Sequence, residues 1–155
     1  MLRRTLLRLL AALECQSCDL GVLIIDDARM QQLNTQYRGI DRPTDVLAFA
    51  MREGPFAELN PEVLGDVVLS AETALRQARA RRHSLAEELA RLLIHGILHL
   101  LGYDHDVSAA HARLMHAKER TLWKLVAPLI DISLEGQPSR SGRQRSRTPR
   151  NSSGC

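Results

Sequence analysis

The chain has 155 residues, 45% of them apolar, and a net charge of +3, which fits one globular domain with a core of its own. No apolar run approaches the roughly 18 residues that span a bilayer, so a membrane-spanning protein is not expected. The charge is uneven: residues 136–155 hold five arginines and no acid, and the rest carries 16 basic against 18 acidic residues. An anionic partner must therefore be drawn by local patches or by the tail, not by bulk charge.

In chain order, leucines at 2, 6, 9, 10 and 13 follow the 3.6 period and predict a helix over residues 1–14. Arg8 interrupts its apolar part and no A-x-A site follows, so an amphipathic helix is expected here and not a secretory signal. "GVLIID" (21–26) is short, apolar and β-branched, hence a buried strand. Asp26 can cap the helix "DARMQQLNTQYR", which should stop at Gly39. "GIDRPTD" is a loop, "VLAFAM" (46–51) a second strand, and the proline-containing "REGPFAELNPE" another loop. "LGDVVLS" (64–70) is a third strand, and its Ser70 can cap a helix reaching about Arg82.

Ser84 and Glu87 form a capping box that opens a central helix. Its apolar positions 85, 89, 92, 93, 97 and 100 make a core-facing stripe, and Gly102 is placed to end it in a left-handed cap. A last helix should run from about Ser108 to Val126, ahead of Pro128. The folded domain is expected over residues 1–132, with 133–155 a disordered, arginine-rich tail. These elements imply an α+β fold: a small sheet of three to four strands covered by helices, the central helix carrying a metal-binding motif. Three cysteines (15, 18 and 155) form no disulfide framework and suit a reducing cytoplasm; Cys15 and Cys18 read as two small residues near a helix end.

The chemistry concentrates in "HGILHLLGYDH" (95–105), where three of the chain's six histidines fall. His95 and His99, four apart on a helix, project from one face, the spacing that offers two nitrogens to one zinc ion. A turn at Gly102 lets His105 swing back as a third ligand, leaving one tetrahedral position for water, as in catalytic sites. Asp104 and Asp106 could orient His105 or could be turn residues. His83, His111 and His116 lack ligand spacing.

The offsets resemble the metzincin protease signature H-E-x-x-H-x-x-G-x-x-H, except that Gly96 stands where the glutamate general base would be. That difference tilts the reading from a zinc peptidase toward phosphodiester hydrolysis, in which a metal and a guanidinium supply the charge neutralisation.

Three blocks together resemble the YbeY-type endoribonucleases, also called rRNA maturation factors. "HGILHLLGYDH" is similar to their H-G-x-L-H-L-x-G-Y-D-H. "LNTQYRGIDRPTDVLAFAM" (33–51) resembles L-N-x-x-Y-R-x-x-D-x-P-T-D-V-L-S-F, with Ala48 where serine is common. "LGDVVLS" resembles G-D-I-x-I-S. The resemblance covers about Gly21 to Leu125. It implies a zinc-dependent endoribonuclease specific for single-stranded RNA, maturing the 3′ end of 16S rRNA and serving late quality control of the small ribosomal subunit. One Zn2+ held by His95, His99 and His105 is implied, with Arg38 as the functional arginine. From its chemistry alone, Arg38 is a bidentate phosphate clamp or a helix-terminal arginine facing the dipole. Family members usually have a strand before the first helix, which is not seen ahead of the helix here. Neither a membrane nor DNA is expected as a partner. A non-catalytic ribosome-assembly factor with a structural metal is the remaining alternative. With only five aromatics (Tyr37, Phe49, Phe56, Tyr103 and Trp123), contacts to the RNA backbone are expected over extended base stacking.

Overall fold

The computed structural model describes residues 1–52 and 58–135. In chain order these form α1 (Leu2–Ala12), β1 (Asp19–Ile25), α2 (Asp27–Arg38), β2 (Val46–Ala50), β3 (Val63–Ser70), α3 (Ala71–Arg81), α4 (Leu85–Leu100) and α5 (Ala109–Glu135). The architecture is α+β, as the pattern predicts. Strand boundaries differ from the sequence expectation by one or two residues.

Local chemistry sets the helix starts. The Asp26 carboxylate accepts from the Arg29 N–H, Ser70 Oγ from the Thr73 N–H and Ser84 Oγ from the Glu87 N–H. Each satisfies one of the donors a helix leaves open at its N-terminus.

The sheet has the order β1-β3-β2, with β1 parallel and β2 antiparallel to the central β3. The register pairs Ile24 with Leu69 on one side of β3 and Val46 with Leu69 on the other. Alternation along β3 divides its side chains between two cores. Val67 and Leu69 join the main core with Leu93, Ile97 and Leu98 of α4. Val68 joins Ile25, Met30 and Leu47 beneath α2. Helices α1 and α5 add Leu9, Met115, Leu122 and Val126 to the main core, so α4 is enclosed by sheet and helices together.

Two expectations are corrected. First, α5 does not stop before Pro128 but continues through it to Glu135. Leu122, Val126 and Ile130 are at most 2% exposed and recur every four residues across the proline. Burying each contributes about 1.5–3 kcal/mol, which offsets the roughly 3 kcal/mol that an interior proline costs. Pro128 itself is exposed, so the carbonyl it leaves unbonded can face water. Second, Cys15 and Cys18 are joined by a disulfide across the turn after α1, their Cα atoms 5.1 Å apart. C-x-x-C at the end of a helix brings two Cβ atoms within bridging range, a local effect that cysteine counting does not capture. The expected tail, apart from the last turn of α5, lies outside the described residues.

Candidate metal centre

Helix α4 is buried almost all round. From Leu92 to Leu100 every residue is buried except His95 and His99. Two half-exposed imidazoles one turn apart in an otherwise apolar helix mark the face where that helix meets solvent.

Beyond α4 the chain reverses sharply. Gly102 takes a φ of 92°, and the Tyr103 N–H donates to the Leu98 carbonyl at 3.0 Å. This left-handed ending, which a side chain would strain, folds the next residues back over the helix terminus. Tyr103 packs against the main core and anchors the turn, and His105 arrives beside the other two histidines.

The three rings form a near-equilateral set. Centroids lie 4.7 Å apart for His95–His99, 5.5 Å for His95–His105 and 5.5 Å for His99–His105. One nitrogen from each falls within 4.8 Å of the others. Nε2 of His95 and Nε2 of His99 face one another at 3.1 Å. Tetrahedral zinc with Zn–N bonds of about 2.0–2.1 Å spaces its ligand nitrogens about 3.3 Å apart, so the donor set fits such an ion. Burial, and then the neighbouring imidazoles of His95 and His105, lower the pKa of His99. Its ring is therefore neutral at pH 7, the form a metal requires.

The far nitrogen of His95 is also held. Its Nδ1 lies 2.6 Å from Oε1 of Glu119 on α5, and the other Glu119 oxygen lies 3.1 Å from Nδ1 of His116. The hydrogen bond from His95 is the main cause of a lowered Glu119 pKa; burial opposes it and His116 adds to it. An ionised carboxylate only accepts, so the proton sits on Nδ1 of His95 and the Nε2 lone pair points at the site. This is the carboxylate–histidine arrangement that orients metal ligands.

A family model described as Endoribonuclease YbeY matches residues 1–127. The chain belongs to the YbeY endoribonuclease family. A YbeY endoribonuclease of Geobacter sulfurreducens is 46% identical over 126 residues, covering 81% of this chain and 84% of the relative. That of Syntrophotalea carbinolica is 47% identical over 117 residues, covering 75% and 78%. Among solved structures, Thermotoga maritima TM1509 superposes with a TM-score of 0.62 at 27% identity, covering 92% of this chain and 89% of that one.

Within this YbeY-family fold, Gly96 is a contact residue. It lies where α4 crosses the sheet, and a Cβ there would stand 2.7 Å from Cγ1 of Val67 and 3.2 Å from Cγ2 of Val46. A side chain at 96 would be driven into the sheet.

The structure brings His95, His99 and His105 together. Arg38 is the last residue of α2 and exposed, it has no ion pair among the described residues, and it does not line the cleft that contains His95. Asp104 is a turn residue, accepting from the Asp106 N–H at 2.9 Å, while Asp106 lies 3.2 Å from Nε2 of His105. His83 pairs with the fully buried Glu88, a structural role.

The sequence pattern does not single out Glu119, and it sets His116 aside for lacking ligand spacing. Their only trace is a spacing of three on a helix, which puts both on one face but not beside α4. Among the described residues no helix is long and apolar enough to cross a membrane.

Proposed function

We propose that the protein is a zinc-dependent endoribonuclease of the cytoplasm, specific for single-stranded RNA, that matures the 3′ end of 16S rRNA on the small ribosomal subunit. Family membership makes it a metal-dependent endoribonuclease, a hydrolase of RNA phosphodiester bonds. The observation that carries the zinc reading is the convergence of three imidazoles, one of them oriented by Glu119. A zinc ion held there supplies Lewis-acid chemistry: charge neutralisation at a phosphate and a lowered pKa for water.

The chain's own residues do the rest. His95, His99 and His105 hold the ion, and Glu119 fixes the tautomer and direction of His95. Arg38 serves as the phosphate clamp; its exposed guanidinium has no carboxylate partner among the described residues and is open to an anion. Position 96 carries no carboxylate beside the ligands, which weighs against the zinc-peptidase alternative.

Purified protein incubated with single-stranded RNA and with unfolded casein, with and without chelator, tests this. Chelator-sensitive RNA cleavage with intact casein is expected. Cleaved casein with intact RNA overturns it. Metal analysis by mass spectrometry should find one zinc per chain. In cells, Arg38→Ala and His99→Ala should each block 16S 3′ maturation; unimpaired maturation in both favours an assembly factor with a structural metal.

A further inference from the structure

A cleft of about 710 Å3 runs beside the metal centre, and His95 is part of its wall. One face of α5 also lines it, carrying Arg113, His116, Arg120 and Trp123 at helical spacing. At 1.5 Å per residue this face extends about 15 Å from Arg113 to Trp123. Arg81 and Arg91 also line the cleft, so four arginines face two carboxylates, Asp45 and Glu119.

The arginines differ in what holds them. Arg81 is tied to Glu88 at 2.7 Å, and Arg91 is tied to Glu87 at 2.9 Å and set over the Trp123 ring at 3.9 Å. Arg113 and Arg120 are exposed and have no ion pair among the described residues. Their helical neighbours explain this. Three and four residues away from Arg113 are Ala109, Ala110, His116 and Ala117, and from Arg120 they are His116, Ala117, Trp123 and Lys124. None is acidic, so the usual pairing that neutralises an arginine on a solvated helix is not available. Of the cleft's two carboxylates, Glu119 is already engaged by His95 and His116, and Asp45 accepts from Gln77.

We infer that this face of α5 is a backbone track for single-stranded RNA entering or leaving the metal centre, with Arg113 and Arg120 as its phosphate contacts. The inference rests on the nuclease reading and adds to it where the substrate lies. Two guanidiniums two turns apart bind phosphates without selecting bases. The Arg91–Trp123 stack offers a flat surface at the same end as Trp123.

The test uses the full-length, zinc-loaded protein and an unstructured RNA oligonucleotide across a series of salt concentrations. Arg113→Gln/Arg120→Gln should raise KM about tenfold, leave kcat within about twofold, and flatten the slope of log affinity against log salt by about 1.4, or about 0.7 for each single-strand phosphate left without its guanidinium. Arg113→Lys/Arg120→Lys keeps the charge and should keep the slope. Wild-type KM and slope in the Gln variant overturn the inference, as does equal impairment in the Gln and Lys variants. Failure of the wild-type protein to cut RNA instead sinks the nuclease reading. The same salt series, read through quenching of Trp123, the chain's single tryptophan, then still decides whether this face binds RNA.

Discussion

Gly96→Ala isolates the contact between α4 and the sheet. In an exposed helix the change would stabilise by about 1 kcal/mol, because alanine is the better helix former. Here the new methyl would sit 2.7 Å from Cγ1 of Val67 and 3.2 Å from Cγ2 of Val46. Val67 is 0% exposed in the central strand, and its β-branched side chain has little rotamer freedom with which to retreat. Overpacking of this kind costs about 1–3 kcal/mol. The net expectation is a loss of about 0–2 kcal/mol and a melting point lower by several degrees. Because His95 and His99 ride on the same helix, zinc affinity should fall with it. Gly96→Glu should be worse on both counts and should not create peptidase activity. Thermal melts and a competition assay against a zinc chelator measure the two effects. A Gly96→Ala protein that melts higher than wild type, with unchanged zinc affinity, would refute the argument from close approach.

Three further outcomes follow from other parts of the structure. Glu119→Gln should weaken zinc binding about 10- to 100-fold, since it removes the charge holding His95 while keeping the side chain's size; chelator competition reads this, and unchanged affinity would show that Glu119 does not act through the ligand. Burial works to raise the Asp27 carboxyl, but hydrogen bonds from Ser70, Thr73 and Arg76 and the Arg76 charge outweigh it and hold the pKa at about 2 against an ordinary 3.8. A depressed folded pKa stabilises above about pH 4 and loses that contribution as pH falls toward 2, here about 1–2 kcal/mol after allowance for solvent at this partly exposed group; Asp27→Asn should flatten stability across that window in acid titrations. Finally, the zinc ion proposed at His95, His99 and His105 would bridge α4 and its following turn, so chelator should lower the melting point, by the equivalent of about 2.7 kcal/mol where free zinc had stood at 100 times its dissociation constant. Equal midpoints would contradict that link.

The readable parts of this chain are the ones whose causes lie within a few residues. Asp26, Ser70 and Ser84 each act on an N–H three positions on, and the structure has all three caps. His95 and His99 share a face by helix geometry alone, and Gly102 reverses the chain by its own φ. The missed parts depend on distant packing. Glu119 reaches His95 across 24 residues, and only the docking of α5 on α4 makes the pair. Pro128 reads locally as a helix stop, yet Val126 and Ile130 are held on either side of it by the main core and its surroundings. That Arg113 and Arg120 have no ion pair among the described residues matters because their face lines the cleft beside His95.

Gly96 shows how the two kinds of information combine. Compared with the metzincin spacing, it reads as a general base that has been lost. In the fold it is a requirement of α4 lying directly on β2 and β3, since any side chain there meets Val67 first. The chemical consequence is the same, no carboxylate at that position, but the cause differs. A glutamate there would displace Val67 or α4 itself, the helix that carries His95 and His99. The carboxylate this centre does possess comes from α5 and engages the outer nitrogen of His95. The orientation of His95 in the proposed metal site therefore depends on the α4–α5 contact, while the spacing of His95 and His99 depends on α4 alone. Loosening α5 should weaken metal binding even with all three histidines intact.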